Sequence, residues 1–182
     1  ELGDAIRLLH GAEVDIRSDG TMDYPDEVLA ELDIVIASLH ANLRQPREAI
    51  TARVLNAIRN PHVDVIGHPS GRLINHREAA DLDWEAILSA ARQHGVALEI
   101  NANPARLDLD EVYARRAIDL GIPLTISTDA HSTGDLALAM YGVSVARRAW
   151  AEPRHILSTW QPQAIVDWLH YRGQLSEVSS QK

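Results

Sequence analysis

Residues 63–72 read VDVIGHPSGR, a short run of Val and Ile that ends at Gly67 and is followed at once by His68. A run of this length between turn-forming residues is typical of a buried strand. Amphipathic stretches of helical period separate this run from four others like it, and the five predicted strands span residues 11–16, 33–39, 63–67, 96–100 and 122–127. The alternation predicts an α/β fold with a mostly parallel sheet.

The predicted helices lie between these strands and after the last one. They span residues 25–32, 46–59, 84–94, 109–120, 135–150 and 162–172. Asp83 and Asp108 precede two of them and are expected to cap their first turns. Gly95 and Gly121 follow two helical stretches and lead directly into strands, as left-handed helix ends do. We predict one domain over residues 1–175 and a disordered tail over residues 176–182.

Composition excludes several classes of site and of location. The 182 residues include 17 Lys and Arg against 26 Asp and Glu, for a net charge of −9, and no Cys. Disulfide scaffolds, thiolate zinc sites, iron–sulfur clusters and cysteine nucleophiles are therefore excluded. No apolar run approaches the roughly 18 to 20 residues of a membrane helix, and no leader-like segment opens the chain, so a cytoplasmic protein is expected. The acidic balance argues against binding nucleic acid through bulk charge alone.

Ionisable or amide side chains stand in every predicted strand or within a few residues of its end. In parallel α/β folds the carboxyl ends of the strands meet at one edge, where functional groups gather. The residues concerned are Glu13, His40, His68, Glu99, Asn101, Asp129 and His131. Carboxylates mixed with imidazoles suit Zn²⁺, Mn²⁺ or Fe, so we predict a metal centre, with a structural hydrogen-bond network as the alternative.

Three arginines follow the same strands within a few residues. Arg44 and Arg72 each stand four residues after a histidine, and Arg106 lies in the loop after Asn101. Guanidinium groups around a metal cluster suit a phosphate ester, because they bind its non-bridging oxygens. The alternative is that they are solvated loop charges or pair with neighbouring carboxylates. His76 is a further candidate for a secondary contact.

Five segments in this order carry a resemblance to a known family: GAEVDI, ASLH, VIGHPSGRL, LEINANPARLDL and STDAHS. They resemble the polymerase and histidinol phosphatase (PHP) domain, most closely the version at the C-terminus of bacterial X-family DNA polymerases. The resemblance covers residues 11–168. It implies a distorted TIM-like (βα)7 barrel that holds two or three divalent ions, Zn, Mn or Fe, at its C-terminal rim. The implied ligands are Glu13, His40, His68, Asp129 and His131, with Glu99 either a ligand or behind the ligands.

The resemblance also implies an activity and partners. In the X-family polymerases the domain is similar to a metal-dependent 3′–5′ exonuclease of DNA repair, which acts on DNA 3′ ends or single strands. By this resemblance, the residues of this chain that would contact the substrate are Arg72, Arg44, Arg106 and Asn101. Alternatives are a free-standing phosphatase for a small phosphomonoester such as histidinol phosphate, and an inactive truncated scaffold. The family's H-x-H and T-D-H segments do not occur here, so the five predicted strands correspond to the last five βα units. The sheet edge that this leaves open predicts a homo-oligomer or association with an N-terminal fragment.

Overall fold

A computed structural model describes residues 7–179 of the chain, with side chains described as far as residue 171. All five predicted strands are present, as β1 (Gly11–Asp15), β2 (Ile34–Ser38), β3 (Val65–Gly67), β4 (Ala97–Asn101) and β5 (Leu124–Ser127). They form one parallel sheet in the order β1-β2-β3-β4-β5. The predicted α/β class and the parallel sheet are confirmed.

Six α-helices follow the pattern of the sequence with shifted ends. They are α1 (Asp26–Leu29), α2 (Arg47–Arg59), α3 (Trp84–His94), α4 (Glu111–Asp119), α5 (Ala139–Arg148) and α6 (Pro162–Ser179). The prediction for α1 was too long, because the chain turns after Leu29 and the amide of Asp33 donates to the carbonyl of His10 at the start of β2. The helix predicted from residue 135 begins instead as a 3-10 helix, Thr133–Leu138, and becomes α-helical only at Ala139.

The helix ends show which local predictions were correct. The Asp83 side chain accepts a hydrogen bond from the amide of Ala86, and Gly95 ends α3 with a φ of 67°, both as expected. For α4 the prediction was wrong, because Asp110 and not Asp108 is the cap. Asp108 is buried and accepts hydrogen bonds from Ser70. Asp108, which the sequence predicted to be a helix cap, therefore links its own loop to the loop of Ser70 by hydrogen bonds.

The two faces of the sheet have different coverings. One face contributes residues such as Val14 and Leu98 to the main core, which α2 and α3 complete with their apolar sides. The other face carries a smaller cluster around Val65, against which Trp160 and Trp168 pack. Residues two apart along a strand point to the same face. Glu13 pairs with Ile36, which pairs with Val65, so Glu13 lies on this second face. Glu99 lies there too, because it is two residues from Ala97, the partner of Val65.

The edge strands β1 and β5 show whether the described sheet closes into a barrel. Within residues 7–179, β1 pairs only with β2, and β5 pairs with β4 and forms one bridge from Leu124 to Ile156. The described sheet is thus open, and the seven-stranded barrel stays a prediction. Helix α6 continues through residue 179, and residues 180–182 of the predicted tail lie outside the described residues. No helix of the described part of the chain is long and apolar enough to cross a membrane.

Candidate metal centre

Strand β1 supplies two carboxylates to one side of the sheet. Glu13 and Asp15 are two residues apart, so the pleat directs both to the same face. In the register, Asp15 lies opposite Ser38, the last residue of β2, and His40 follows two residues later. The adjacent parallel strands therefore bring His40 to the carboxylates of β1.

Glu13, His40 and His68 form a compact group. Oε1 of Glu13 lies 3.0 Å from Nε2 of His68 and 3.5 Å from Nε2 of His40. The two imidazole rings meet edge to face with their centroids 5.0 Å apart. One ligand atom from each of the three residues lies within 4.8 Å of the others, and this is the sole such group found among the described His, Asp and Glu side chains.

His68 is fixed by the turn that follows β3. Its amide donates to the carboxylate of Glu99, its φ is 26°, and its ring is buried. Gly67 makes room for the neighbouring strand, because a Cβ at this position would lie 2.4 Å from Oγ of Ser38. Nδ1 of His68 is buried and has no hydrogen-bond partner among the described residues. A buried polar atom without a partner is costly, and a bound ion or water is one arrangement that would satisfy it.

Electrostatics couples these side chains. Hydrogen bonds from His40 and His68 hold the pKa of Glu13 far below its usual range. The hydrogen bond to Glu13, with a smaller contribution from Asp15, raises the pKa of His40 to about 9 despite partial burial. Without a metal ion, a proton on His40 thus offsets part of the negative charge of Glu13 and Asp15. A divalent cation would compete with that proton for the same place.

Further side chains support this group from behind. Asp15 contacts Nδ1 of His40 and so orients the ring, an arrangement common for metal-binding histidines. Glu99 is buried, and it accepts hydrogen bonds from the His68 amide and the Ser127 hydroxyl. Burial raises the pKa of Glu99. The sequence reasoning missed Asp15, although its spacing of two from Glu13 was a usable signal.

The spacing of the group fits a divalent metal. A tetrahedral ion with bonds of about 2.0–2.1 Å requires ligand atoms roughly 3.3 Å apart. The distances of 3.0 Å and 3.5 Å from Glu13 to the two Nε2 atoms lie on either side of that value. One carboxylate and two imidazoles also form a donor set that suits Zn²⁺ or Mn²⁺. Three protein ligands would leave a coordination position for substrate.

The two predicted ligands after β5 lie outside the three-residue group. Nδ1 of His131 lies 4.0 Å from a carboxylate oxygen of Asp129, so the two are neighbours, as their spacing predicted. Nε of Arg106 lies 3.9 Å from the other oxygen of Asp129. The imidazole of His131 is 85% exposed. Their role as metal ligands stays a prediction.

The residues predicted to contact substrate have different surroundings. Arg72 donates to the backbone carbonyls of Arg106 and Leu107, and Asn101 is fully buried beside Glu99. Arg106 has a buried Nη1 without a hydrogen-bond partner among the described residues. Arg44 is exposed. Arg44 and Arg106 thus retain free donor atoms, whereas Arg72 and Asn101 brace the loops around the site.

Comparison with known proteins adds independent evidence. No family model matches the chain. A probable phosphatase of Shewanella oneidensis is 32% identical over 179 residues, which are 93% of this chain and 68% of that protein. A probable phosphatase of a Thermoanaerobacter species is 32% identical over 166 residues, 86% of this chain and 65% of that protein. The chain belongs to the family of these bacterial phosphatases.

A longer relative supports the resemblance to the X-family polymerases. The Bacillus subtilis protein named DNA polymerase/3'-5' exonuclease PolX is 47% identical over 152 residues, or 84% of this chain. The chain spans 27% of the length of that protein, against about two thirds of the two family phosphatases. The part shared with both kinds of relative includes most of the described sheet.

Proposed function

We propose that this chain forms a PHP-type domain that hydrolyses phosphate esters with a divalent metal at Glu13, His40 and His68. The observation that carries the proposal is the spacing of these three ligand atoms, 3.0 Å and 3.5 Å from the Glu13 oxygen, in a member of a phosphatase family. Asp129 and His131 are proposed to hold further ions, to a total of two or three. Zn, Mn and Fe suit this donor set.

The chemistry divides between the metal and the chain. A divalent ion bound here would supply Lewis acidity to a phosphoryl oxygen and to water. Glu13 supplies the negative charge that holds the cation, and Asp15 keeps the His40 ring in its binding orientation. Glu99 fixes the backbone at His68 through its amide. Strand β1 and the turns after β2 and β3 thus keep the three ligand atoms at their spacing before substrate arrives.

For the substrate we propose DNA 3′ ends, hydrolysed in the 3′–5′ direction within a longer polymerase of DNA repair. The support is the higher identity to the relative named as a 3'-5' exonuclease, 47%, against 32% to the probable phosphatases. A small phosphomonoester is the second candidate, favoured by the larger share of the phosphatases that the chain spans, 65% to 68%, and by its net charge of −9.

The open edge of β1 suggests an association. Along residues 11–14 the strand has one neighbour, β2, among the described residues, whereas at Asp15 the carbonyl accepts a hydrogen bond from the amide of Asp23. We propose that a second copy or a separate N-terminal fragment pairs with this edge, because unpaired strand edges readily recruit another strand. Light scattering tests for the second copy, since a strictly monomeric mass in concentrated solution excludes it.

The metal site is tested by thermal denaturation. Protein freed of metal with a chelator is titrated with Mn²⁺ or Zn²⁺, alongside His68→Ala and the control His62→Ala, which lies before β3 at the other end of the strand. At a metal concentration about 100 times Kd, the wild-type and control Tm should rise by roughly 5–10 °C. An equal rise in His68→Ala would contradict the proposed ligand set.

Activity is tested with the same three proteins. Each is incubated with metal and either a single-stranded oligonucleotide labelled at its 5′ end or p-nitrophenyl phosphate. The wild type and His62→Ala should shorten the oligonucleotide from its 3′ end, whereas His68→Ala should lose this activity. Hydrolysis of p-nitrophenyl phosphate alone would favour the small phosphomonoester.

A further inference from the structure

A cleft rich in arginine lies between the loops that continue from His40 and His68. Its walls come from the loops that follow β2 and β3, and its volume is about 490 Å³. Arg44, Arg72, His76 and Arg77 line it, and Glu78 is the one carboxylate among its lining residues. This local excess of positive charge stands out in a chain with a net charge of −9. Clefts lined by one sign of charge concentrate ligands of the opposite sign.

The charges in the cleft are only partly neutralised. Arg72 donates to backbone carbonyls and lies 3.6 Å from Asp110, so its guanidinium is largely engaged. Arg77 donates from Nε to the carbonyl of Gly71 at 2.8 Å, its one side-chain hydrogen bond to a described residue. Arg44 is exposed and makes no hydrogen bond or ion pair with a described residue. Two guanidinium groups therefore retain free donors toward the cleft.

The cleft and the metal centre are neighbours along both loops. The amide of Gly71 donates to the carbonyl of His68 at 2.9 Å, a β-turn that places their Cα atoms within about 7 Å. Arg77 is bound to this same Gly71. Arg44 follows His40 by four residues, and the preceding Leu43 packs against Gly71. The two loops that follow His40 and His68 therefore also carry the arginines of the cleft.

We propose that this cleft holds a second phosphate of the substrate, the phosphodiester next to the one hydrolysed at the metal centre of a nucleic-acid strand. The inference rests on the proposed function. Arg44 and Arg77 bind the non-bridging oxygens of that phosphate, because free guanidinium groups bind phosphate through charge-assisted hydrogen bonds. The cleft therefore favours substrates with consecutive phosphates over phosphomonoesters.

A pair of trinucleotides tests the second phosphate directly. One is the thymidine trinucleotide, and the other carries a neutral methylphosphonate in place of the phosphodiester farther from the 3′ end. The wild-type kcat/KM should be about tenfold or more higher for the natural trinucleotide, since the neutral group loses charge-assisted contact with Arg44 and Arg77. Arg44→Gln and Arg77→Gln should each reduce this preference to less than about threefold, and Arg77→Gln should leave hydrolysis of p-nitrophenyl phosphate unchanged.

Controls separate the cleft from general charge and from folding. Arg59→Gln removes the same charge from the exposed C-terminal end of α2 and should keep the tenfold preference of the wild type. Arg44 is exposed and without a described partner, so its replacement leaves the fold intact, which an unchanged Tm verifies. Equal wild-type rates on both trinucleotides, or a preference that survives in both variants, would overturn the inference and leave the proposed hydrolysis standing.

Binding provides a readout that does not depend on activity. Fluorescently labelled versions of the two trinucleotides are titrated with protein in EDTA, and wild type should bind the natural one more tightly than Arg44→Gln does. Equal affinities of the wild type for both trinucleotides would overturn the inference even if no hydrolysis occurs. Ethylene glycol bisphosphate and ethyl phosphate form a second pair of substrates. A larger preference within this pair than within the trinucleotides would overturn the assignment to nucleic acid.

Discussion

Replacing Arg53 by Met tests how the metal centre is held by the body of the fold. Arg53 belongs to α2 and is 2% exposed. Its guanidinium donates to the carbonyl of Ile16 after β1, to the carbonyl of Ala41 at 2.9 Å, and to Oε1 of Gln45 at 3.1 Å. One buried cation thus ties the segment after β1 to the loop that begins at His40.

The magnitude follows from these hydrogen bonds. Met keeps most of the apolar stem of Arg53 but leaves the carbonyls of Ile16 and Ala41 without this donor, at a cost of about 1–3 kcal/mol each. Burial lowers the pKa of Arg53 in the folded protein, because desolvation disfavours the charged guanidinium. A neutral Met does not carry this desolvation cost. That gain offsets part of the loss. We expect a net destabilisation of about 3 kcal/mol.

Urea denaturation followed by circular dichroism measures this change. With a slope of about 2 kcal/mol per M, the midpoint should fall by roughly 1.5 M. Arg59→Met is the matched control, because Arg59 lies exposed in the last turn of the same helix. A destabilisation below about 1 kcal/mol, or one equal to that of the control, would refute the reasoning.

The same variant has a functional consequence. Ala41 follows His40 directly, so loss of its carbonyl's hydrogen bond to Arg53 loosens the backbone that carries one proposed metal ligand. We expect metal affinity to fall about tenfold or more, as for supporting contacts of metal ligands generally. Calorimetric titration with Mn²⁺ below the unfolding temperature measures this separately from stability. An unchanged affinity would show that the strand ends alone hold His40.

Three further predictions concern stability, pH and the packing at the metal centre. Asp110→Ala should cost about 1 kcal/mol in urea denaturation, because two backbone amides of α4 lose their acceptor. The pKa of His40 is raised from 6.5 to about 9 by Glu13. The metal-free protein should therefore keep this stabilisation fully below about pH 6.5 and lose it as the pH rises through 9, and His40→Asn should flatten that change in Tm. Gly67→Ala would place a Cβ 2.4 Å from Oγ of Ser38, so calorimetry should show weaker metal binding than in the wild type.

The sequence predicted the strands because their signal is local. Runs of Val and Ile between helical periods are typical of buried parallel strands wherever they occur. The position of His40 and His68 directly after two such runs then placed both at one edge, and the structure brings them together with Glu13. Asp15 was missed, although its alternation with Glu13 directs it to the same face, and its role depends on a contact with His40 from the next strand.

Other features depend on contacts that the local sequence does not contain. Asp108 and Asp110 are both suitable helix caps by type. What separates them is Ser70, 38 residues away, which donates to Asp108 and draws that side chain into the interior. The capping position therefore passes to Asp110. The choice was set by tertiary structure, so propensity alone favoured the wrong residue.

The arginines near the metal centre also depend on contacts that the local sequence does not reveal. Arg72 and Arg77 stand in one loop, and the sequence predicted a substrate contact for Arg72 but not for Arg77. In the structure Arg72 is engaged by the backbone carbonyls of Arg106 and Leu107, whereas Arg77 keeps its terminal nitrogens free. A guanidinium that already bonds to the protein has fewer donors left for a phosphate. Distance along the chain identifies which arginines reach the site, but only their hydrogen bonds identify which of them can bind a substrate there.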